Sequence, residues 1–335
     1  MRRKTKRMFI ITFSLISTML ILSACGESGS NETIRVSNTF GEDHPQNKAL
    51  SEKFKSIIEE ETEGDIEVEI YEDSKLGDEK EVYDGVRDGT IEMVVAGTIM
   101  SDDVPKMSIG DWPFLFRDLD HAEKVLNGPV GDEVKEQLEE KAGVKSLGWS
   151  ANGFRMFSSN KSIEDMEDLK GQKMRLPDID NFVKMGEALD LNVTSLPIEE
   201  VFTSLEQGVV DGQDNPISTL KANGWYEVQD YVLESRHVFS LNNYIINEDL
   251  WEGFSDEERE IIEKAAEETA DYEWDLTKES YEEDKKFLED EGMEFIAPDD
   301  QFQENFEKAV EPFYDDVYQE YPWAEDLITE IKETE

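Results

Sequence analysis

The feature that most constrains this chain is the order of its first periodic segments. Thr33 to Ser37 alternates and is β-branched, the pattern of a strand. From Pro45 to Glu63 the apolar residues Ala49, Leu50, Phe54, Ile57 and Ile58 recur at helical spacing, and Gly64 stands where a helix-ending glycine belongs. Ile66 to Ile70 alternates strictly, Lys80 to Asp88 reads as a helix ended by Gly89, and Ile91 to Ala96 reads as a third strand. This β-α-β-α-β order predicts an α/β layered domain with a largely parallel sheet. Ligands of such sheets bind outside the carboxyl ends of the strands.

Later segments continue the theme. His121 to Lys141 predicts a helix, Val144 to Trp149 a strand, and Ser162 to Leu169 a capped turn. Gly171 to Leu176 predicts a short strand, Asn181 to Leu189 a helix, and Ile198 to Gln207 a helix stopped by Gly208. Ser255-Asp-Glu-Glu258 is a capping box opening a charged helical run to about Glu291, with Ile261, Ile262, Ala265, Ala266 and Ala270 as its apolar stripe. Gln301 to Glu320 is a further amphipathic helix. A length of 335 residues without an internal repeat or a long linker predicts two α/β domains with several chain crossings between them.

The N-terminus reads as an address. Five basic residues fall within the first seven, and an apolar stretch from Met8 to Leu22 follows, the layout of a secretory signal. The stretch is short for a membrane-spanning helix, which needs about 20 apolar residues. Leu22-Ser-Ala-Cys25 resembles a bacterial lipobox. The resemblance implies cleavage of a signal peptide at residues 1–24, acylation of Cys25 and a polar tether over residues 25–32. The alternative is ordinary signal cleavage with a leftover thiol.

Charge and composition exclude several classes. The chain has 33 Lys+Arg against 81 Asp+Glu, a net charge of −48. Removing residues 1–24 takes away five basic residues and no acidic one, leaving 28 against 81, or −53. Such a surface repels the phosphates of nucleic acid and the headgroups of an anionic membrane. A hydrophobic share of 38% is too high for a chain that never folds. A single Cys excludes a disulfide framework and a thiolate zinc site, and three His make a multi-histidine metal site improbable. No Gly-x-Ser-x-Gly elbow, His-Glu-x-x-His motif or EF-hand loop is present. Composition alone leaves a two-carboxylate glycoside hydrolase open.

Four segments oppose the acidic background. Gly110-Asp-Trp-Pro-Phe-Leu-Phe116 is an apolar loop, for which core packing is the simpler reading. Ser150-Ala-Asn-Gly-Phe-Arg155 places an Arg two residues after a Gly. Leu169-Lys-Gly-Gln-Lys-Met-Arg-Leu-Pro177 carries Arg175 at the end of a predicted strand. Leu205-Glu-Gln-Gly-Val-Val-Asp-Gly-Gln-Asp-Asn-Pro216 reads as a helix stop, a short strand and a polar turn. A solvated pair of arginines and an ordinary turn are the plain alternatives for the last three.

Together these segments resemble the substrate-binding proteins of tripartite ATP-independent periplasmic (TRAP) transporters, the DctP family. Ser74-Lys-Leu-Gly77, Gly85-Val-Arg-Asp-Gly-Thr-Ile-Glu92, Pro113-Phe-Leu-Phe116 and Tyr226-Glu-Val-Gln-Asp-Tyr231 add to the likeness, which runs from about Thr33 to the C-terminus. It implies a two-lobed, periplasmic-binding-protein-like (type II-like) α/β fold with a hinge and a long connecting helix. Residues 33–152 with about 241–280 are expected in lobe I, and 153–240 with about 281–335 in lobe II. The implied function is an extracytoplasmic receptor, lipid-anchored outside the cell membrane, for a small organic acid. Sugar acids such as a hexuronate or keto-gulonate, or a C4-dicarboxylate, are the expected ligands. The implied clamp on the ligand carboxylate is Arg175, in the strand after Asp168-Leu-Lys-Gly171, with Arg155 as a second Arg and Asn215 from the polar turn. Asn152, Thr98 and His44 match ligand-side positions less firmly, and a structural role is the more frequent one for a lone His. The implied partners are integral membrane TRAP subunits. No cofactor and no catalysis are expected, and a monomer is. A sensor presenting its ligand to a membrane kinase shares the same fold and site.

Overall fold

The computed structural model describes residues 32–335. The expected signal peptide 1–24, Cys25 and all of the tether except Glu32 lie outside the described residues. The strands are β1 Glu32–Ser37, β2 Ile66–Tyr71, β3 Met93–Ala96, β4 Val144–Ser159, β5 Lys173–Leu176, β6 Asn192–Ser195, β7 Gly212–Asn215, β8 Tyr231–Asn247 and β9 Glu294–Ile296. They run in the order β2-β1-β3-β8-β4-β7-β5-β6, and β9 also pairs with β8.

The expected largely parallel sheet holds only at the two ends. β1 is parallel to β2 and β3, and β5 is parallel to β6 and β7. The centre is antiparallel, because β4 and β8, of 16 and 17 residues, pair along most of their length. The C-terminal half of β8 takes up β3, and its N-terminal half takes up β9. The C-terminal end of β4 takes up β7. Two long strands thus run through both lobes and divide one sheet into two halves.

Where β4 crosses from one lobe to the other, its register with β8 shifts between Ala151 and Gly153 and again between Arg155 and Phe157. Gly153 has φ +110°, a conformation that a side chain disfavours, so the bulge requires glycine. The bulge re-aims Asn152 and Arg155 relative to a regular strand. The long helix Asp256–Asp290 ties to it: Glu273 Oε2 accepts the Ala151 N–H at 2.8 Å.

That helix begins at the capping box read from the sequence. The Glu258 N–H donates to Ser255 Oγ at 3.2 Å, and the Ser255 N–H donates to Glu258 Oε2 at 2.7 Å. Its 35 residues reach roughly 50 Å at 1.5 Å per residue, long enough to brace both lobes. Ile262, Ala265 and Ala266 pack with Ile34, Leu50, Val68 and Ile246 in one core, while Leu288 packs with Met156, Val201 and Trp225 in another. Each such large aliphatic side chain contributes about 1.5–3 kcal/mol when fully buried.

Several local expectations are corrected. The run His121 to Lys141 is two helices, Leu119–Leu126 and Pro129–Ala142, because Gly128-Pro129 interrupts it and Pro129 starts the second helix. The helix from Pro45 to Glu61 opens into a π turn over Leu50–Lys55. The strand beginning at Val144 continues to Ser159. The polar turn Gly212-Gln-Asp-Asn215 is itself strand β7, buried throughout. Phe302, Phe306 and Val310 pack on Phe157 and Met174, whereas Phe313, Val317, Leu327 and Ile331 return to Val134, Leu138 and Trp149.

Candidate ligand-binding site

A cavity of about 470 Å³ lies between the lobes. One wall comprises Glu79 from the start of the helix Glu79–Arg87, Gly97 and Thr98 from just past β3, and Asp111. The facing wall comprises Arg155 from β4, Arg175 from β5, Phe182, and Asn215 from the end of β7. Asn152, Ser240 and Asn242 come from the strand crossing. The cavity therefore faces the carboxyl ends of the parallel strands β3, β5 and β7, where crossover connections leave room for a ligand.

Arg155 is buried and fully engaged on one edge. Its Nε donates to Asp214 Oδ2 at 2.7 Å, and Nη2 donates to Asp214 Oδ1 at 2.9 Å and to the Asp214 carbonyl at 2.6 Å. Burial by itself raises the Asp214 carboxyl, but the Arg155 charge and the hydrogen bonds from Arg155 and His237 outweigh it and hold the group well below the usual carboxylate range. The guanidinium carbon lies 4.8 Å from the centre of the Phe182 ring, so the fork is oriented by stacking as well. Arg155 Nη1, 3.5 Å from Ser240 Oγ, is on the remaining edge.

Arg175 is different. It is 4% exposed, and its Nε and Nη2 both donate to the Leu196 carbonyl, at 2.9 and 2.6 Å. Among the described residues it has no ion pair. Burial, then the neighbouring Arg155 charge, pushes it down to about 10, so it remains a cation at neutral pH. A buried, unmatched guanidinium is costly to hold in the absence of an anion. It is also the ideal partner for one, since its fork offers parallel charge-assisted bonds to a carboxylate.

The opposite wall is acidic. Glu79, partly exposed toward the cavity, accepts the Gly97 N–H at 2.6 Å, and burial raises its carboxyl. Asp111 accepts from Thr98 Oγ1 and, across the cleft, from Asn181 Nδ2 at 3.3 Å. Burial pushes Asp111 up to about 7. Ser74 donates to Glu199 at the cavity mouth, a second bond between the lobes.

Of the residues singled out in the sequence, Arg175, Arg155, Asn215, Asn152 and Thr98 line this one cavity. His44 does not line it. It caps the helix at Pro45 through Nδ1, which accepts the Gln46 N–H at 3.1 Å, and stacks on Phe40 with ring centres 4.3 Å apart. Its Nε2 meets Asn152 Oδ1 at 3.2 Å, so His44 supports Asn152 from behind. Burial holds its imidazole down at about 3, and it stays neutral.

The DctP family profile, described as bacterial extracellular solute-binding protein, family 7, matches residues 36–321. The chain belongs to this family. A TRAP periplasmic solute-binding protein from Haemophilus influenzae, crystallised with bound L-gulonate, superposes with a TM-score of 0.88 at 37% identity, covering 91% of this chain and 100% of that one. A second, from Roseobacter denitrificans with bound L-galactonate, superposes at 0.80 with 33% identity over 84% and 93%. The 2,3-diketo-L-gulonate-binding periplasmic protein YiaO of Escherichia coli is 30% identical over 85% of this chain and 87% of its own length.

For a family 7 binding protein, the informative omissions from the sequence reading are Glu79, Asp111, Asp214 and Phe182. Asp111 and Asp214 lie inside segments already noted, but as one acid among 81 neither carries a local signal. Among the described residues no helix is long and apolar enough to cross a membrane, and no cluster of His, Cys, Asp and Glu is placed to hold a metal ion.

Proposed function

We propose that this protein is the solute receptor of a TRAP transporter, that it binds a small sugar acid, and that Arg175 clamps the ligand carboxylate with Arg155 beside it. The observation that carries the reading is the asymmetry of the two arginines. Arg155 is already matched by Asp214, while Arg175 is a buried cation awaiting an anion in the same cavity. The sugar acids held by the two crystallised relatives support the ligand class. Asn152, Thr98 and Asn215 supply polar contacts to the remainder of the ligand.

On this reading the lobes comprise residues 33–152 with about 241–280 and 153–240 with about 281–310, the segment from Phe313 joining lobe I. Packing of Phe313 and Val317 with Val134 supports that last assignment. The β4 bulge at Gly153 is the hinge about which the lobes close. The receptor works as a monomer without catalysis, held outside the cell by a lipid on Cys25, and hands its ligand to integral membrane subunits.

A thermal-shift screen of organic acids tests the ligand class. Sugar acids raise the melting temperature in proportion to ln(1 + [L]/Kd), and the matching neutral sugars leave it unchanged. A melting temperature raised by neutral sugars and not by acids would reject the clamp. For the anchor, Cys25→Ser should release the protein from cells into the medium.

A further inference from the structure

We infer that this cavity accepts sugar acids carrying one carboxylate and rejects the dicarboxylate built on the same skeleton. The inference rests on the sugar-acid reading above and narrows it. Its basis is the charge inventory of the two walls. On the lobe II wall, Asp214 neutralises Arg155, which leaves Arg175 as the single unmatched cation of the cavity among the described residues. One ligand carboxylate brings that wall to balance. A second carboxylate, at the far end of a six-carbon chain, meets the lobe I wall.

That wall is built for hydroxyls. Glu79 and Asn242 converge at Gly97: a Cβ added there would stand 3.5 Å from Glu79 Oε1 and 3.9 Å from Asn242 Oδ1. Glu79 Oε1 takes the Gly97 N–H, and among the described residues Oε2 has no comparable tie. Asn242 is 3% exposed, and its Nδ2 has no hydrogen-bond partner among the described residues. Glu79 Oε1 and Asn242 Oδ1 are both acceptors, so this spot fits a group that donates, as a hydroxyl does. A carboxylate can only accept, so it leaves Glu79 unpaired and repelled. Asp111 stands on the same wall and Glu79 acts on it through space. Asp102, Asp178 and Glu199 add negative charge at the rim, and Lys80, also on the lining, is exposed and already paired with Asp84 at 2.8 Å, so a second anionic end meets a wall that is negative overall.

The test compares matched pairs by calorimetry on the protein. L-Gulonate and D-glucarate share their stereocentres and differ only in a terminal CH₂OH against a carboxylate. L-Galactonate and galactarate form a second such pair. We expect the aldonate of at least one pair to bind, with its aldarate weaker by about 100-fold or more, the scale set by one uncompensated like-charge contact in a partly desolvated site. Glu79→Gln removes the charge and keeps the shape. In that variant the aldarate gains at least tenfold relative to the aldonate, a change in ratio that a purely structural role of Glu79 would not produce. Aldarate binding within threefold of the aldonate in the native protein would overturn the inference and leave the sugar-acid reading intact. Absence of binding by aldonates, aldarates and hexuronates alike would overturn both. A ratio unchanged in a Glu79→Gln protein that melts like the native one would overturn the part assigned to Glu79.

Discussion

Arg155 and Asp214 form a buried bidentate ion pair between the neighbouring antiparallel strands β4 and β7, Nε to Oδ2 at 2.7 Å and Nη2 to Oδ1 at 2.9 Å. The pair fixes one guanidinium of the cleft in place and spends its charge inside the protein. Arg175, from β5, has only a carbonyl to hold it. On the proposed reading this difference divides the work: Arg155 is a preset fork, and Arg175 is the charge that a ligand completes.

Arg175→Lys keeps the charge and loses the fork, so affinity for a sugar acid should fall at least about tenfold. Arg175→Met should lower it by about 30- to 4,000-fold, the range of a broken desolvated charge pair. The same Met variant should melt no lower than the native protein when no ligand is present, because it removes an uncompensated buried cation. Calorimetry and thermal denaturation read the two effects separately.

Asp214→Ala should destabilise the protein by about 3–5 kcal/mol, since it leaves Arg155 buried without its counter-ion. The pH dependence has a definite sign. The Asp214 carboxyl is held below its unfolded value, so the folded state binds fewer protons between the two. Its stabilisation is present above about pH 4 and is lost as pH falls below that. Urea denaturation of native and variant protein should show the gap closing in acid.

Glu273 behaves in the opposite sense. Burial pushes it up to about 8, against the hydrogen bonds from the Ala151 N–H and Thr277 Oγ1. The folded state holds its proton where the unfolded chain has lost it, so the contribution is complete below about pH 4 and declines as pH rises to about 8. Glu273→Gln should therefore gain stability relative to the native protein between pH 5 and 8, by on the order of 2–4 kcal/mol, and level off above that. A difference that stays flat with pH would mean that Glu273 is ionised in the folded protein.

How much of this was legible follows from how local each signal is. The β-α-β-α-β start and the Ser255–Glu258 capping box depend on residues within a few positions of one another, and both were readable. β8 was not, because Ser235, His237, Asn242 and Asn243 are buried at the strand crossing and break the apolar alternation. Arg155 and Arg175 stood out because arginine is scarce in so acidic a chain. Asp111, Asp214 and Glu79 were hidden for the same reason, one acid being indistinguishable from the next until the fold brings it to a guanidinium. His44 showed the reverse: its position after the first strand drew attention, and its ring is used for capping and support.

The acidic surface has a kinetic consequence. A ligand anion approaching the net charge of −48 is repelled over a Debye length that shrinks from about 30 Å at 0.01 M salt to about 8 Å at 0.15 M. The association rate for a sugar acid, followed by stopped-flow fluorescence, should therefore rise with salt over this range. A rate that falls with salt would mean that the arginines dominate the field outside the cleft.

The central claim is that the cavity binds a carboxylate through Arg175. Calorimetry of the native protein against aldonates, hexuronates, keto-sugar acids, C4-dicarboxylates, neutral sugars and amines tests it most directly. The account predicts that at least one sugar acid binds and that Arg175→Lys weakens it by tenfold or more. Binding of a neutral sugar or an amine with no acid binding, or an affinity unchanged in Arg175→Lys, would contradict it.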